Sequence, residues 1–165
     1  MMSLFEIVLM LGAHLCSLVA GFLLAFAVVV MPGIGSLADR EFLRAFQVID
    51  RVIQRGQPVF LLVWVGSVLT MMAAALLSLW ELDGANRLLV IVAALVYLLG
   101  VQLPTVAINI PLNNALQTLN PDTMDEAVRT RARNDFELRW NRWNVSRTVC
   151  AGVASMLLLL VLFRL

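Results

Sequence analysis

Trp140-Asn141-Arg142-Trp143-Asn144-Val145-Ser146-Arg147 runs straight into an apolar tail, and its reading decides where the last helix of the chain enters a membrane. At helical spacing Trp140, Trp143, Asn144 and Arg147 stand at i, i+3, i+4 and i+7, so two indoles, a carboxamide and a guanidinium share one face. The uncharged run beyond them, residues 148–163, is 16 residues long. A bilayer core of roughly 30 Å needs about 20 residues at a rise of about 1.5 Å each. The missing turn is Asn144 to Arg147. Either the span is short and Arg147 snorkels to the headgroups, or Arg147 lies inside the membrane boundary facing a polar pocket; the spacing admits both.

The rest of the chain has the composition of a polytopic membrane protein: 165 residues, 61% hydrophobic and only 14% charged. Ordinary soluble domains are nearer half apolar. A net charge of +1 argues against a nucleic-acid partner. The partner the composition does imply is the lipid bilayer, and a homo-oligomer is compatible with it. Cys16 and Cys150 both fall in apolar runs, so they read as small core residues rather than halves of a framework disulfide. Glu6, not a basic residue, precedes the first apolar run, which is too long for a signal-peptide core, so a retained span is expected.

Working outward, the apolar runs predict an all-α, four-transmembrane-helix bundle forming a single domain over residues 1–165, with spans at about 7–31, 59–80, 88–108 and 144–163. Pro32-Gly33 and Gly35 are expected to break the first helix. Between spans one and two, residues 36–56 form an amphipathic surface helix. Phe42, Phe46, Ile49 and Ile53 mark its apolar stripe, and Arg40, Arg44, Gln47, Arg51 and Arg55 its opposite side. Pro58 starts span two at a position that needs no N–H. Pro104 interrupts span three, near whose end Gln102, Asn109 and Asn113 form a carboxamide stripe. Thr123 and Glu126 suggest a capping box opening a polar helix, residues 123–143, that leads into span four.

Four spans put the two long loops on one side. Those loops, with Arg147, carry ten of the twelve basic residues, all of them arginine. The positive-inside rule then predicts cytoplasmic long loops and both termini outside.

No catalytic triad, phosphate-binding glycine loop or dinucleotide fingerprint occurs. His14, the single histidine, lacks a second ligand at metal spacing, so a packing role inside the bundle is the commoner reading beside a base or ligand role. The chemistry-bearing residues converge on one membrane boundary: Gln47, Asp50 and Gln54 from the surface helix, Asn109 and Asn113 from span three, and Trp140, Asn144 and Arg147 from span four. Such a cluster is either glue between helices or a ligand site, and spacing alone leans to glue. As a site it suits a flat aromatic molecule: indoles to stack on, amides to orient oxygens, Arg147 to stabilise a negative oxygen, and Asp50 as base.

Asn109-x-Pro111-Leu112-Asn113, followed by Trp140-x-x-Trp143-Asn144 and Arg147, resembles the anthrone oxygenase-like family of small four-helix integral membrane proteins, many of them of unknown function. Met31-Pro32-Gly33 and Gln47 extend the resemblance over nearly the whole chain. Asp50 stands where an amide is expected, and Val145-Ser146 where a histidine precedes the arginine. The resemblance implies a monooxygenase converting a phenolic anthrone to an anthraquinone with O2, without cofactor, metal or flavin. It implies Arg147, Asn109 and Asn144 as holders of enolate oxygens, Asp50 or His14 as base, and Trp140 and Trp143 as stacking partners, with Asn113 and Gln47 beside the substrate. The competing reading is a non-catalytic membrane protein whose polar cluster is structural, or binds a lipophilic ligand or partner. A carrier or channel ranks last, because polar groups gather at one end only.

Overall fold

A computed structural model describes residues 2–165 as five helices, with no strand among the described residues. They are α1 (Leu4–Gly35), α2 (Asp39–Gln54), α3 (Pro58–Glu81), α4 (Gly84–Gln117) and α5 (Glu126–Arg164). All but α2 are long and apolar enough to cross a membrane. The chain is therefore an all-helical, multi-pass membrane protein, as its composition requires.

α1 is fastened at its start by a capping box: Ser3 Oγ accepts from the Glu6 amide and Glu6 accepts from the Ser3 amide, both at 3.1 Å. The expected break at Pro32 does not occur, and α1 runs on to Gly35. Just upstream, Phe26–Val30 widen into a π turn in which the Met31 amide reaches back to the Phe26 carbonyl. That resets the hydrogen-bond ladder, so Pro32 sits at the start of a new helical segment, where its missing N–H costs nothing. α4 repeats the device on both sides of Pro104, with π turns at Leu98–Gln102 and Thr105–Asn109, and so extends well past residue 108.

α5 is one continuous rod, polar in its first half and apolar in its second. The Thr123/Glu126 capping box is not formed. Asp125 is the N-cap and makes no side-chain cap bond, and Arg129 Nε instead donates to the Pro121 carbonyl at 2.7 Å. On this helix Arg133 and Glu137 form an i, i+4 ion pair at 2.7 Å.

α1 packs on α5 and α3, and α4 packs on α5 and α3, which closes a four-helix bundle. Its core includes Leu9, Cys16, Met71, Tyr97 and Leu158. Inside it Ser67 and Tyr97 share a 2.6 Å hydrogen bond, as buried hydroxyls must. Between α4 and α5 the backbones come so close that a Cβ at Gly100 would lie 2.6 Å from Cys150 Sγ.

α2 closes one end of the bundle through a second apolar cluster of Met31, Phe42, Phe46, Phe136 and Trp140. It is clamped there by Arg133, which donates to the Gly35 and Leu37 carbonyls and pairs with Asp39 and Glu137. Arg40 and Arg44 pair with Asp122. Hydrogen bonds from Thr130 and Arg133 hold the Asp39 carboxyl below its usual range. The chain turns from α2 into α3 at Gly56, whose φ of +77° only glycine adopts without strain.

Candidate functional site

α1, α2, α3, α4 and α5 together line a partly open cavity of about 330 Å³ at the α2 end of the bundle. That lies at the lower end of the range for small-molecule pockets. Aromatic side chains from four helices line it: Phe22 and Phe26 from α1, Phe46 from α2, Phe60 and Trp64 from α3, and Trp140 from α5. Phe26 and Phe46 lie 5.7 and 5.4 Å from the Trp140 ring, which fixes the indole from two sides.

One wall is built around Arg147, only 4% exposed. Its terminal nitrogens donate to Thr105 Oγ1 at 2.9 Å and to Asn144 Oδ1 at 3.0 Å, both neutral partners. Its Nε has no hydrogen-bond partner among the described residues. The guanidinium carbon also lies 5.8 Å from the centre of the Trp140 ring. Thr105 is aimed by its own bond to the Val101 carbonyl at 2.7 Å, and Asn144 by its donation to the Leu23 carbonyl at 3.0 Å. Between the short span and the inward-facing arginine, the structure has the second: Arg147 is inside, on the cavity. A buried cation whose bonds are all to neutral groups favours an incoming anion, because burial has already removed its water.

Another part of the lining is built around Asp50. Its Oδ1 accepts from Asn113 at 2.8 Å, and its Oδ2 accepts from Gln117 at 2.9 Å and Gln54 at 2.7 Å. Burial raises its carboxyl above the ordinary 3.8, and the three amide donors only partly offset that. Asn113 is bifunctional, for its Oδ1 accepts the Trp140 indole N–H at 2.8 Å. Asn109, 2% exposed, has its Nδ2 at a long 3.5 Å from the Trp140 carbonyl. Its Oδ1 is unpartnered. Among the described residues, Arg147 Nε and Asn109 Oδ1 are thus buried polar atoms without partners, and both belong to residues that line the same aromatic space.

Asp50, Asn109, Asn113, Trp140, Asn144 and Arg147 all line this cavity. Three expected members do not. His14 is on the exposed face of α1, neither inside the bundle nor near the site. Trp143 is 36% exposed on the outside of α5, since only the i, i+4, i+7 positions 140, 144 and 147 face inward. Gln47 is buried, not on the polar side of α2, and its amide donates to the Leu116 and Leu119 carbonyls at 2.8 and 3.0 Å, tying α2 to the end of α4. Gln102 also departs from its expected stripe: it accepts from the Trp64 indole at 3.0 Å, off the cavity. Thr105 was not anticipated, although it stands four residues before Asn109 and eight before Asn113, a visible helical stripe. Among the described residues no group of three or more His, Cys, Asp or Glu side chains is placed to hold a metal ion.

A family model described as anthrone oxygenase matches residues 50–157. The match begins at Asp50 and includes every polar residue that lines the cavity. No curated protein and no solved structure matches the chain.

Proposed function

The chain belongs to the anthrone oxygenase family, and on that premise we propose that its cavity binds a flat phenolic anthrone as its enolate and lets that enolate reduce O2. One observation carries this reading: Arg147 and Asn109, which line one aromatic space, hold between them a buried donor, Nε, and a buried acceptor, Oδ1, without partners among the described residues. Leaving such groups unpaired costs roughly 1–3 kcal/mol each, so they favour a ligand that accepts from one and donates to the other. A phenolic enolate does both, its oxyanion at Arg147 and its phenol O–H at Asn109.

In the proposed reaction Asp50, made more basic by burial, removes a proton from the methylene carbon between the aryl rings. The C–H electron pair becomes the enolate, whose oxygen is stabilised by Arg147. The enolate passes one electron to O2, and the resulting radical and superoxide combine through a new C–O bond. The peroxide takes up the proton from Asp50. Loss of the second methylene proton with O–O cleavage releases water and leaves the quinone carbonyl. One oxygen atom ends in the product and one in water, and all four electrons come from the substrate. The aromatic walls keep bulk water from protonating the carbanion.

The excess of arginines in the two long loops favours a cytoplasmic position for those loops and for the cavity beside them. A polar lock between helices is the second reading, and Asn113, with its oxygen and nitrogen both engaged, favours it. It leaves the open volume and the two unpartnered atoms unexplained. The test is oxygen uptake and quinone absorbance with a hydroxyanthrone and purified protein in detergent. Turnover above the spontaneous rate, lost in Arg147→Ala, is expected; equal rates for the variant and wild type would remove Arg147 from the chemistry.

A further inference from the structure

Beside the cavity a second, more open groove of about 500 Å³ runs between α1, the end of α2 and the start of α3. Its outer wall is aliphatic and exposed: Leu18 is 43%, Val52 55% and Val59 62% accessible. Leu18 and Val59 belong to helices long enough to cross a membrane, so the groove opens sideways into lipid rather than through a loop. Phe22, Ile53, Phe60 and Trp64 line the groove and the cavity alike. The partition between them is therefore a thin layer of side chains. Across it the Phe22 and Phe60 rings meet 5.3 Å apart, held by packing alone, and rotation of such rings needs no hydrogen bond to break. Farther along the seam α1 and α3 are tight, with the Gly66 position 3.2 Å from Leu15, so the opening is local to the aromatic pair.

We propose that this groove is the lipid-side portal of the cavity and that it holds an aliphatic chain carried by the ligand, so that the substrate is a membrane-dissolved phenolic ring with an apolar tail, loaded laterally between α1 and α3 past Phe22 and Phe60. The proposal rests on the cavity being a ligand site, as argued above, and adds to it the tail and the route. The cavity of about 330 Å³ takes the ring, and the groove, lined by apolar side chains with Gln57 as its one polar member, continues it past the residues the two share. Because lipid and groove are similarly apolar, the tail adds little affinity over a tail-less ring in a bilayer. What it fixes is position, and position is what the experiment reads.

The probe is a dihydroxyanthraquinone with an eight-carbon chain ending in a diazirine, photolysed with the full-length protein in phospholipid nanodiscs. Peptide mass spectrometry is expected to find the label on the segments around Leu18, Val52 and Val59, with at least fivefold less label when excess tail-less dihydroxyanthraquinone is present. Leu18→Trp and Val59→Trp, both at exposed positions that tolerate a larger side chain, should cut the label in the groove at least fivefold. Binding of the tail-less ring should stay within twofold in both. Label spread over all lipid-facing helices, or label in the groove that the tail-less ring does not displace, would overturn the proposal. Failure of the proposed function is read separately, as absence of Arg147-dependent oxygen uptake.

Discussion

Arg147 and Asp50 line the same cavity, yet each bonds only neutral side chains: Arg147 those of Thr105 and Asn144, Asp50 those of Asn113, Gln117 and Gln54. In a low-dielectric interior two opposite charges would gain by meeting. Unpaired with each other, the two leave the cation for the oxyanion and the carboxylate for the proton that the proposed reaction needs, a division of roles that a closed ion pair would abolish.

The first consequence concerns Arg147 itself. Removing a donor that stabilises a developing oxyanion typically lowers turnover by about 10²–10³-fold, so Arg147→Ala should fall to that extent. Arg147→Lys keeps the charge but loses the planar fork that reaches Thr105 and Asn144 together, and should retain a small fraction of activity. Neither variant leaves a carboxylate stranded. Melting temperatures in detergent should therefore stay near the wild-type value while oxygen uptake drops.

Asp50 supplies a pH dependence. Its carboxyl is raised from 3.8 by burial, so the base form appears at a higher pH than it would for a free carboxylate. Turnover should rise with pH through that raised midpoint and then level off. By the same sign, the neutral form is the one the folded state favours. Its contribution to stability is present below the unfolded value of 3.8 and lost as pH rises through the folded midpoint. Asp50→Asn should lose the acid limb and about 10²–10⁴-fold in rate. A variant whose pH profile of oxygen uptake matches wild type would take Asp50 out of the proton transfer.

Run lengths of apolar residues were enough to count the spans, because lipid demands about 20 such residues per crossing whatever the neighbours do. The inward face of α5 was legible in part: Trp140, Asn144 and Arg147 obey one helical period, while Trp143, read onto the same face, points outward. Periodicity failed where the helix is not regular. Each π turn adds a residue and rotates everything beyond it by about 100°. Gln102, drawn on one straight stripe with Asn109 and Asn113, is separated from them by a π turn and bonds Trp64 off the cavity. The same kind of turn at Phe26–Val30 carries α1 through Pro32. His14 was misplaced for another reason: hydropathy says that a residue lies in a span, not which way it points.

The close approach of α4 and α5 rests on Gly100. A methyl there would sit 2.6 Å from Cys150 Sγ and 2.8 Å from Cys150 Cβ, so the sulfur cannot simply rotate away and the helices must part. Gly100→Ala should destabilise the bundle by about 1–3 kcal/mol, read as a lowered melting temperature in detergent. Cys150→Gly in the same chain should restore part of the loss, since it removes both clashing atoms. An equal loss in the double variant would locate the strain elsewhere.

The clamp at Arg133 controls the cavity from a distance. Its guanidinium holds the Gly35 and Leu37 carbonyls, Asp39 and Glu137, so it fixes the α1–α2 turn to α5 and with it the α2 wall that carries Phe46 and Asp50. Charge-assisted hydrogen bonds in such a partly buried cluster contribute roughly 1.5–3 kcal/mol. Arg133→Ala should loosen α2 first, seen as faster amide exchange over residues 39–54 with the four spans still protected. Because Asp50 moves with α2, KM should rise several-fold and kcat should fall with it. His14→Ala and Trp143→Ala touch neither wall and should leave both constants within twofold. Were Arg133→Ala to exchange like wild type while losing activity, the clamp would be acting on the chemistry by some path other than the position of α2.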